Sequence, residues 1–184
     1  MKLINDNLKK AGIISSILIV VAIVLRLIAI TAVPTIIKID ALLCIVALLC
    51  GLLYTLNGYK KSVANYYKAF MYLYSISSIL SLGSSLSFAI ADLGKFGIIM
   101  IITNAVILIS VLVLAFAKDF GEKKSSILSL LVLSLNVFKL LSDISIKGLT
   151  TPIISAGFGN LILACVSCVF VSAKYVDKAS RGTK

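Results

Sequence analysis

Histidine and tryptophan are absent from this chain of 184 residues, proline occurs twice, and glutamate occurs once. Histidine is the most frequent general acid or base at neutral pH, so its absence removes the usual proton-transfer group. No Ser, Lys or Asp lies in a recognisable nucleophile motif, and no glycine-rich phosphate loop is present. We therefore expect no enzymatic activity and no cofactor.

Cysteine is also scarce, but two of the four cysteines, Cys165 and Cys168, have the C-x-x-C spacing of redox and metal sites. All four lie in apolar stretches, where thiols are unreactive, and no histidine can complete a mixed metal site. We expect the cysteines to be small packing residues and predict no metal site. The alternative, intramembrane redox chemistry through Cys165 and Cys168, predicts a thiol-dependent activity.

Apolar residues are abundant, at 60% of the chain with a mean hydropathy of +1.13, against about 45–50% in globular proteins. A bilayer core about 30 Å thick needs about 20 apolar residues per helix. Six such windows occur, at about 11–33, 41–56, 69–91, 97–117, 127–146 and 153–173. The alternating pattern of barrel strands is missing. We predict an all-α, polytopic integral membrane protein in which residues 1–184 form a single domain of six transmembrane helices.

Residues that favour the start or the end of a helix support these span boundaries. Asp40 and Ser125 are suitable N-caps for the second and fifth spans, and Thr151 with Pro152 is suited to open the sixth. Pro34 is expected to close the first span.

Basic residues divide the connectors into two sets. The first, third and fifth connectors carry one lysine each, whereas the chain ends and the second and fourth connectors hold most of the remainder. These are Lys2, Lys9, Lys10, Lys60, Lys61, Lys68, Lys118, Lys123, Lys124, Lys174, Lys178, Arg181 and Lys184. Cytoplasmic loops carry the excess of Lys and Arg, and tyrosines, which here lie near the same ends of the spans, favour the headgroup level. We predict three hairpins with both termini cytoplasmic, in a cell membrane of the bacterial inner-membrane type.

The net charge of +11 would favour nucleic acid as the partner of a soluble protein. Here the positive-inside arrangement explains the charge. We expect the lipid bilayer, with anionic headgroups at the cytoplasmic face, as the partner, and no nucleic acid. A specific acidic partner is the alternative.

The first span has a second interpretation. Lys9 and Lys10 before the apolar run 13–25 resemble the start of a signal peptide, but the run resumes after Arg26 and lacks a small-x-small cleavage site. We expect an uncleaved span.

Six polar side chains at membrane depth are the candidate ligand-binding residues: Arg26, Asn104, Asn136, Lys139, Asp143 and Asn160. An ionised group at the bilayer centre costs about 2.5–3.5 kcal/mol on insertion scales, so such residues usually face the bundle interior and have a function. Lys139 and Asp143 are spaced to pair on one helix face, which Asn136 shares.

Small residues predict which helix faces are buried. Ala11, Ser15, Ala22, Arg26 and Ala29 share one face of the first span, and Gly157, Asn160, Ala164 and Ser167 share one face of the sixth. The third span adds a small polar face with Ser77, Ser81, Ser84 and Ser85. We expect Arg26 and Asn160 to point at neighbouring helices.

These polar residues allow two interpretations. In the first, they line a polar cavity open to the outside, where Arg26 and Lys139 attract an anionic or zwitterionic solute. In the second, Lys139 and Asp143 form a packing ion pair, Arg26 extends outward to the membrane surface, and the asparagines bridge helices.

The expected architecture has six helices, both ends cytoplasmic, fewer than two hundred residues and polar groups in the outer half. In these features it resembles the substrate-binding components of energy-coupling-factor transporters, and the resemblance rests on no sequence motif. The stripe of Ala11, Ser15 and Ala22 stands where those components carry a small-residue docking signature. The resemblance implies a solute-binding or transport-related component that needs an energising partner. The alternative function is a non-transporting accessory or immunity-type protein that contacts a membrane-protein partner or a second copy through its helices.

Overall fold

The computed structural model describes residues 2–31, 35–91, 95–117 and 120–181, which are almost entirely helical. The helices are α1 (Lys2–Thr31), α2 (Thr35–Leu56), α3 (Ala64–Ala91), α4 (Lys95–Phe116), α5 (Glu122–Lys147) and α6 (Thr151–Arg181), with a short 3-10 turn at Lys61–Val63. Each of the six contains a segment of 19 to 25 residues that is long and apolar enough to cross a membrane. The prediction of a multi-pass helical membrane protein is therefore confirmed at that level.

The six helices form a closed bundle. Each packs along the next in sequence, and α6 packs along α1. Neighbouring helices run antiparallel: Gly12 near the start of α1 lies beside Thr55 near the end of α2, whereas Arg26 late in α1 meets Asp40 early in α2. Connector 57–63 and the described residues 117 and 120–121 consequently lie at one end of the bundle, called here the basic end. The other is the far end.

Two predicted helix caps are wrong. Asp40 is not an N-cap, because α2 begins five residues earlier, at Thr35. Ser125 lies inside α5, and its backbone N–H bonds the carbonyl of Gly121 at 3.0 Å. Gly121 is the actual N-cap, with φ of 80°, a conformation that glycine adopts without strain. Helix α6 does begin at Thr151, as predicted.

Helices α1, α2, α3 and α5 begin at least five residues before the expected spans, and α6 continues eight residues past its expected end, to Arg181. Pro34 lies outside the described residues.

An aromatic cluster fills the bundle toward the basic end. Phe170 of α6 makes edge-to-face contacts with Tyr54, Tyr59 and Phe70, with ring centroids 5.0 to 6.0 Å apart. Tyr54 and Tyr59 are buried in the core, as are Tyr67 and Tyr74. These four rings pack against other rings and helices inside the bundle, and the headgroup level expected for the tyrosines stays a prediction.

Candidate functional site

The side chain of Arg26 lies inside the bundle and is only 1% exposed. Its Nη2 donates a hydrogen bond to Asn160 Oδ1 of α6. Its Nη1 lies 3.7 Å from Asp40 Oδ2 of α2, which makes an ion pair inside the bundle. The alternative in which Arg26 extends outward to the membrane surface is therefore wrong, and its predicted interior position is confirmed.

Helix α3 adds a third partner to this ion pair. Ser77 Oγ donates a hydrogen bond to Asp40 Oδ1 at 2.5 Å, and Cys44 Sγ lies 3.2 Å from the same Ser77 oxygen. We call Arg26, Asp40, Ser77 and Asn160 the arginine cluster. It joins α1, α2, α3 and α6 through polar contacts.

Gly159 provides the space in which the guanidinium lies. An ideal Cβ at this position would come within 2.7 Å of Arg26 Nε and 3.2 Å of Arg26 Cδ. The Nε–H group is buried and has no hydrogen-bond acceptor among the described residues. Arg26 thus retains a donor that a buried arginine would normally use.

Lys139 of α5 forms a second polar cluster, one turn further along α3. Its Nζ donates to Ser81 Oγ at 2.6 Å and to Asn104 Oδ1 at 2.9 Å. The amide nitrogen of Asn104 donates in turn to Ser85 Oγ at 2.7 Å and to the Met100 carbonyl at 2.9 Å. This lysine cluster of Lys139, Ser81, Asn104 and Ser85 joins α3, α4 and α5. The pairing of Lys139 with Asp143 stays a prediction.

Asn136 lies one turn before Lys139 on α5 and is 5% exposed. Its Nδ2 donates to the Val132 carbonyl at 2.8 Å and faces Tyr74 Oη of α3 at 3.5 Å. This contact adds a further polar link between α5 and α3.

Helix α3 connects the two clusters. Ser77 belongs to the arginine cluster and Ser81 to the lysine cluster, and they lie one helical turn apart, about 6 Å along the axis. Tyr74 and Ser85 continue this face of α3 in either direction. We call the two clusters together with Asn136 and Tyr74 the polar layer. It crosses the bundle interior from α1 to α5.

Five of the six predicted site residues therefore have polar partners in the layer, namely Arg26, Asn104, Asn136, Lys139 and Asn160. Asp143 is partly buried on α5, one turn beyond Lys139. The sequence argument missed Asp40, because it assigned this residue to a connector. The contact follows only once the helix bounds are known, because Arg26 precedes the end of α1 by the same number of residues as Asp40 follows the start of α2.

The small-residue faces are also largely confirmed. Ser15 and Ala22 of α1 and Ala164 and Ser167 of α6 are fully buried. The side chain of Ala29 lies outside the described set.

The cysteines are all unpaired. Cys168 Sγ donates to the Ser129 carbonyl at 3.2 Å, so Cys168 contributes to the packing of α6 against α5. Among the described residues, no three His, Cys, Asp or Glu side chains come close enough to hold a metal ion.

No protein-family model matches the chain, and neither a curated protein nor a solved structure is significantly similar to it.

Proposed function

We propose that this six-helix domain binds a small anionic or zwitterionic solute in its polar layer, and that it acts as a solute-binding or transport-related component of a cell membrane. The observation that carries the proposal is the burial of Arg26, at 1% exposure, among polar side chains from three other helices. Ionisable residues inside transmembrane bundles usually mark pathways or binding sites.

Stability alone gives little reason to retain this layer. Replacing a buried ion pair with well-packed apolar residues is often neutral or stabilising, because removing charges from water is costly. A chain that only needed a packed bundle could use leucine at Arg26 and Asp40. A solute-binding role explains why a full positive charge is kept there.

The chemistry of the layer suits a carboxylate, a phosphate or a zwitterion. The planar guanidinium of Arg26 can hold such a group through two parallel N–H donors, and Lys139 supplies a second positive charge from α5. Asp40 can accept a hydrogen bond from the ammonium group of a zwitterion. Arg26 Nη1 and Asp40 Oδ2 lie 3.7 Å apart, beyond hydrogen-bond distance, so a solute carboxylate or phosphate can replace Asp40 as the partner of Nη1.

The proposed orientation places the layer in the outer half of the bilayer. With three hairpins and both termini cytoplasmic, the basic end faces the cytoplasm and the far end faces outward. Lys139 lies about 12 Å along the helix axis from the far end of α5, within half of a bilayer core about 30 Å thick. The layer would then be reached by a polar cavity from the outside.

The test measures melting temperatures of the purified protein with acetate, inorganic phosphate, glycine and methylamine. We expect at least one anionic or zwitterionic compound to stabilise the wild type. Arg26→Ala, Lys139→Ala and Asp143→Ala should abolish that shift while expression persists, and Lys38→Ala, which removes an exposed lysine, should retain it. Equal loss of folded protein in the Arg26, Lys139 and Asp143 variants would contradict the proposal and support the packing interpretation.

A second candidate function rests on the outer surface of α3. Gly83 is exposed there, and a Cβ added to it would meet no other atom within 4 Å. Small residues on an outer helix face permit close approach of another membrane helix. This favours an accessory or immunity-type protein, for which a stoichiometric partner should co-purify with the wild type and be lost from Gly83→Leu.

A further inference from the structure

A small cavity lies at the basic end of the bundle, at the opposite end from the arginine cluster. It has a volume of about 10 Å³, which admits one water-sized group. Its polar lining comes from Lys174 of α6, Ser125 of α5 and Tyr67 of α3, and its apolar lining includes Leu114 and Phe120. The side chain of Lys174 is exposed, so the cavity is bounded by a group in contact with the surroundings.

Two ammonium groups flank this cavity. Lys174 Nζ lies 5.8 Å from the ring centroid of Tyr67, and Lys124 Nζ lies 6.0 Å from the ring centroid of Phe120. Both rings line the cavity. These cation–π contacts hold two positive charges from different helices near the same opening. Among the described residues, the acidic Glu122 begins α5, and its side chain is exposed.

Apolar side chains lie next to the cavity on the surface that lipid would cover. Phe116 is 60% exposed and immediately precedes Ala117, which lines the cavity. Ile127 is 65% exposed and lies two residues beyond Ser125. Both belong to segments that are apolar enough to cross a membrane. A ligand with an anionic head and apolar chains fits this arrangement better than a small ion does.

We propose that the cavity is a binding site for the phosphate of an anionic phospholipid, with Lys174 and Lys124 as its positive charges. One phosphate oxygen occupies the cavity beside the Ser125 hydroxyl, and the acyl chains lie along Phe116 and Ile127. Basic pockets between transmembrane helices at the cytoplasmic side bind anionic headgroups in this way. The site is independent of the polar layer and of the solute proposed to bind there.

The experiment compares three probes on the full chain in a neutral detergent: phosphatidylglycerol, phosphatidylcholine and inorganic phosphate. Native mass spectrometry measures the bound lipid, and the melting temperature reports stabilisation. Lys174→Met keeps an apolar stem over Tyr67 but removes the charge, Lys174→Arg restores it, and Lys38→Met is the matched control at the far end.

We expect phosphatidylglycerol to bind and to stabilise the wild type more than phosphatidylcholine does. Lys174→Met should weaken its apparent affinity about fivefold, since one lysine near an anionic lipid surface contributes on that order. Lys174→Arg and Lys38→Met should bind as the wild type does.

Two results would overturn the proposal. Equal binding of phosphatidylglycerol by the wild type and Lys174→Met would show that the cavity is not the site. Stabilisation by inorganic phosphate equal to that by phosphatidylglycerol would show that the ligand is a free anion and not a lipid.

Discussion

Gly159 is the position where the smallest change should most disturb the arginine cluster. Replacing it with alanine adds one methyl group to α6, and that group would come within 2.7 Å of Arg26 Nε. Two carbon or nitrogen atoms normally stay at least 3.5 Å or so apart, so either the guanidinium or α6 must move.

The structure gives little room for that movement. Arg26 is held by Asn160 on one side and by Asp40 on the other, and the methyl group would meet the middle of its side chain, not a flexible end. Overpacking a well-filled site costs about 1–3 kcal/mol. Alanine recovers about 1 kcal/mol of that cost, because it favours a helix over glycine by that amount. We expect Gly159→Ala to destabilise the protein by up to about 2 kcal/mol.

Gly83→Ala is the matched control, because Gly83 lies in the interior of α3 and an added methyl group would meet open space. Its expected effect is neutral or stabilising, by up to about 1 kcal/mol. The assay is reversible unfolding of the purified protein in mixed micelles, followed by far-ultraviolet circular dichroism. A double variant, Gly159→Ala with Arg26→Leu, separates the clash from the effect on the helix. If the clash is the cause, the two changes should be strongly non-additive.

The reasoning would be refuted by equal free energies of unfolding for Gly159→Ala and Gly83→Ala. Additive effects in the double variant would likewise show that Arg26 does not occupy the space beside Gly159.

Two further predictions concern the ion pair and the basic end. Arg26→Leu and Asp40→Leu should each destabilise the protein by about 3–5 kcal/mol, because each leaves a buried charge without its partner. The double variant should be much closer in stability to the wild type. Unfolding of the three proteins checks this, and a double variant less stable than either single variant would contradict it. Burial raises the pKa of Tyr59 above its ordinary value of 10.0, and the nearby hydroxyls of Ser15 and Thr55 only partly oppose this. The folded state therefore favours the neutral phenol, so the contribution of Tyr59 to stability should be complete below pH 10 and decline as the pH rises above that value. Tyr59→Phe should remove this part of the loss of melting temperature at alkaline pH. An unchanged pH profile in Tyr59→Phe would show that Tyr59 is not involved.

The polar layer could be predicted from sequence only in part. Burial of Arg26 follows from its position on a face with Ser15 and Ala22, because small residues mark where membrane helices touch. Its contact with Asp40 does not follow from that pattern, since it depends on where α1 ends and α2 begins. An error of six residues in the start of α2, at Thr35 and not at residue 41, was enough to assign Asp40 to a connector.

The partners of Lys139 were missed for a different reason. Spacing along α5 suggests Asp143, four residues away, but spacing within one helix says nothing about the helices beside it. Ser81 and Asn104 reach Lys139 only because α3, α4 and α5 pack together at this depth. Short polar side chains on α3 could be predicted to face inward as a group, but their individual partners required the packed bundle.

Solute binding in the polar layer is tested most directly by the Arg26→Leu, Asp40→Leu double variant, which removes both charges of the ion pair together. The measurement is the shift in melting temperature of this variant and of the wild type with acetate, inorganic phosphate, glycine and methylamine. We predict that at least one anionic or zwitterionic compound stabilises the wild type and not the folded double variant. The same shifts in both proteins, or no shift in the wild type, would contradict the assignment of the layer as a binding site.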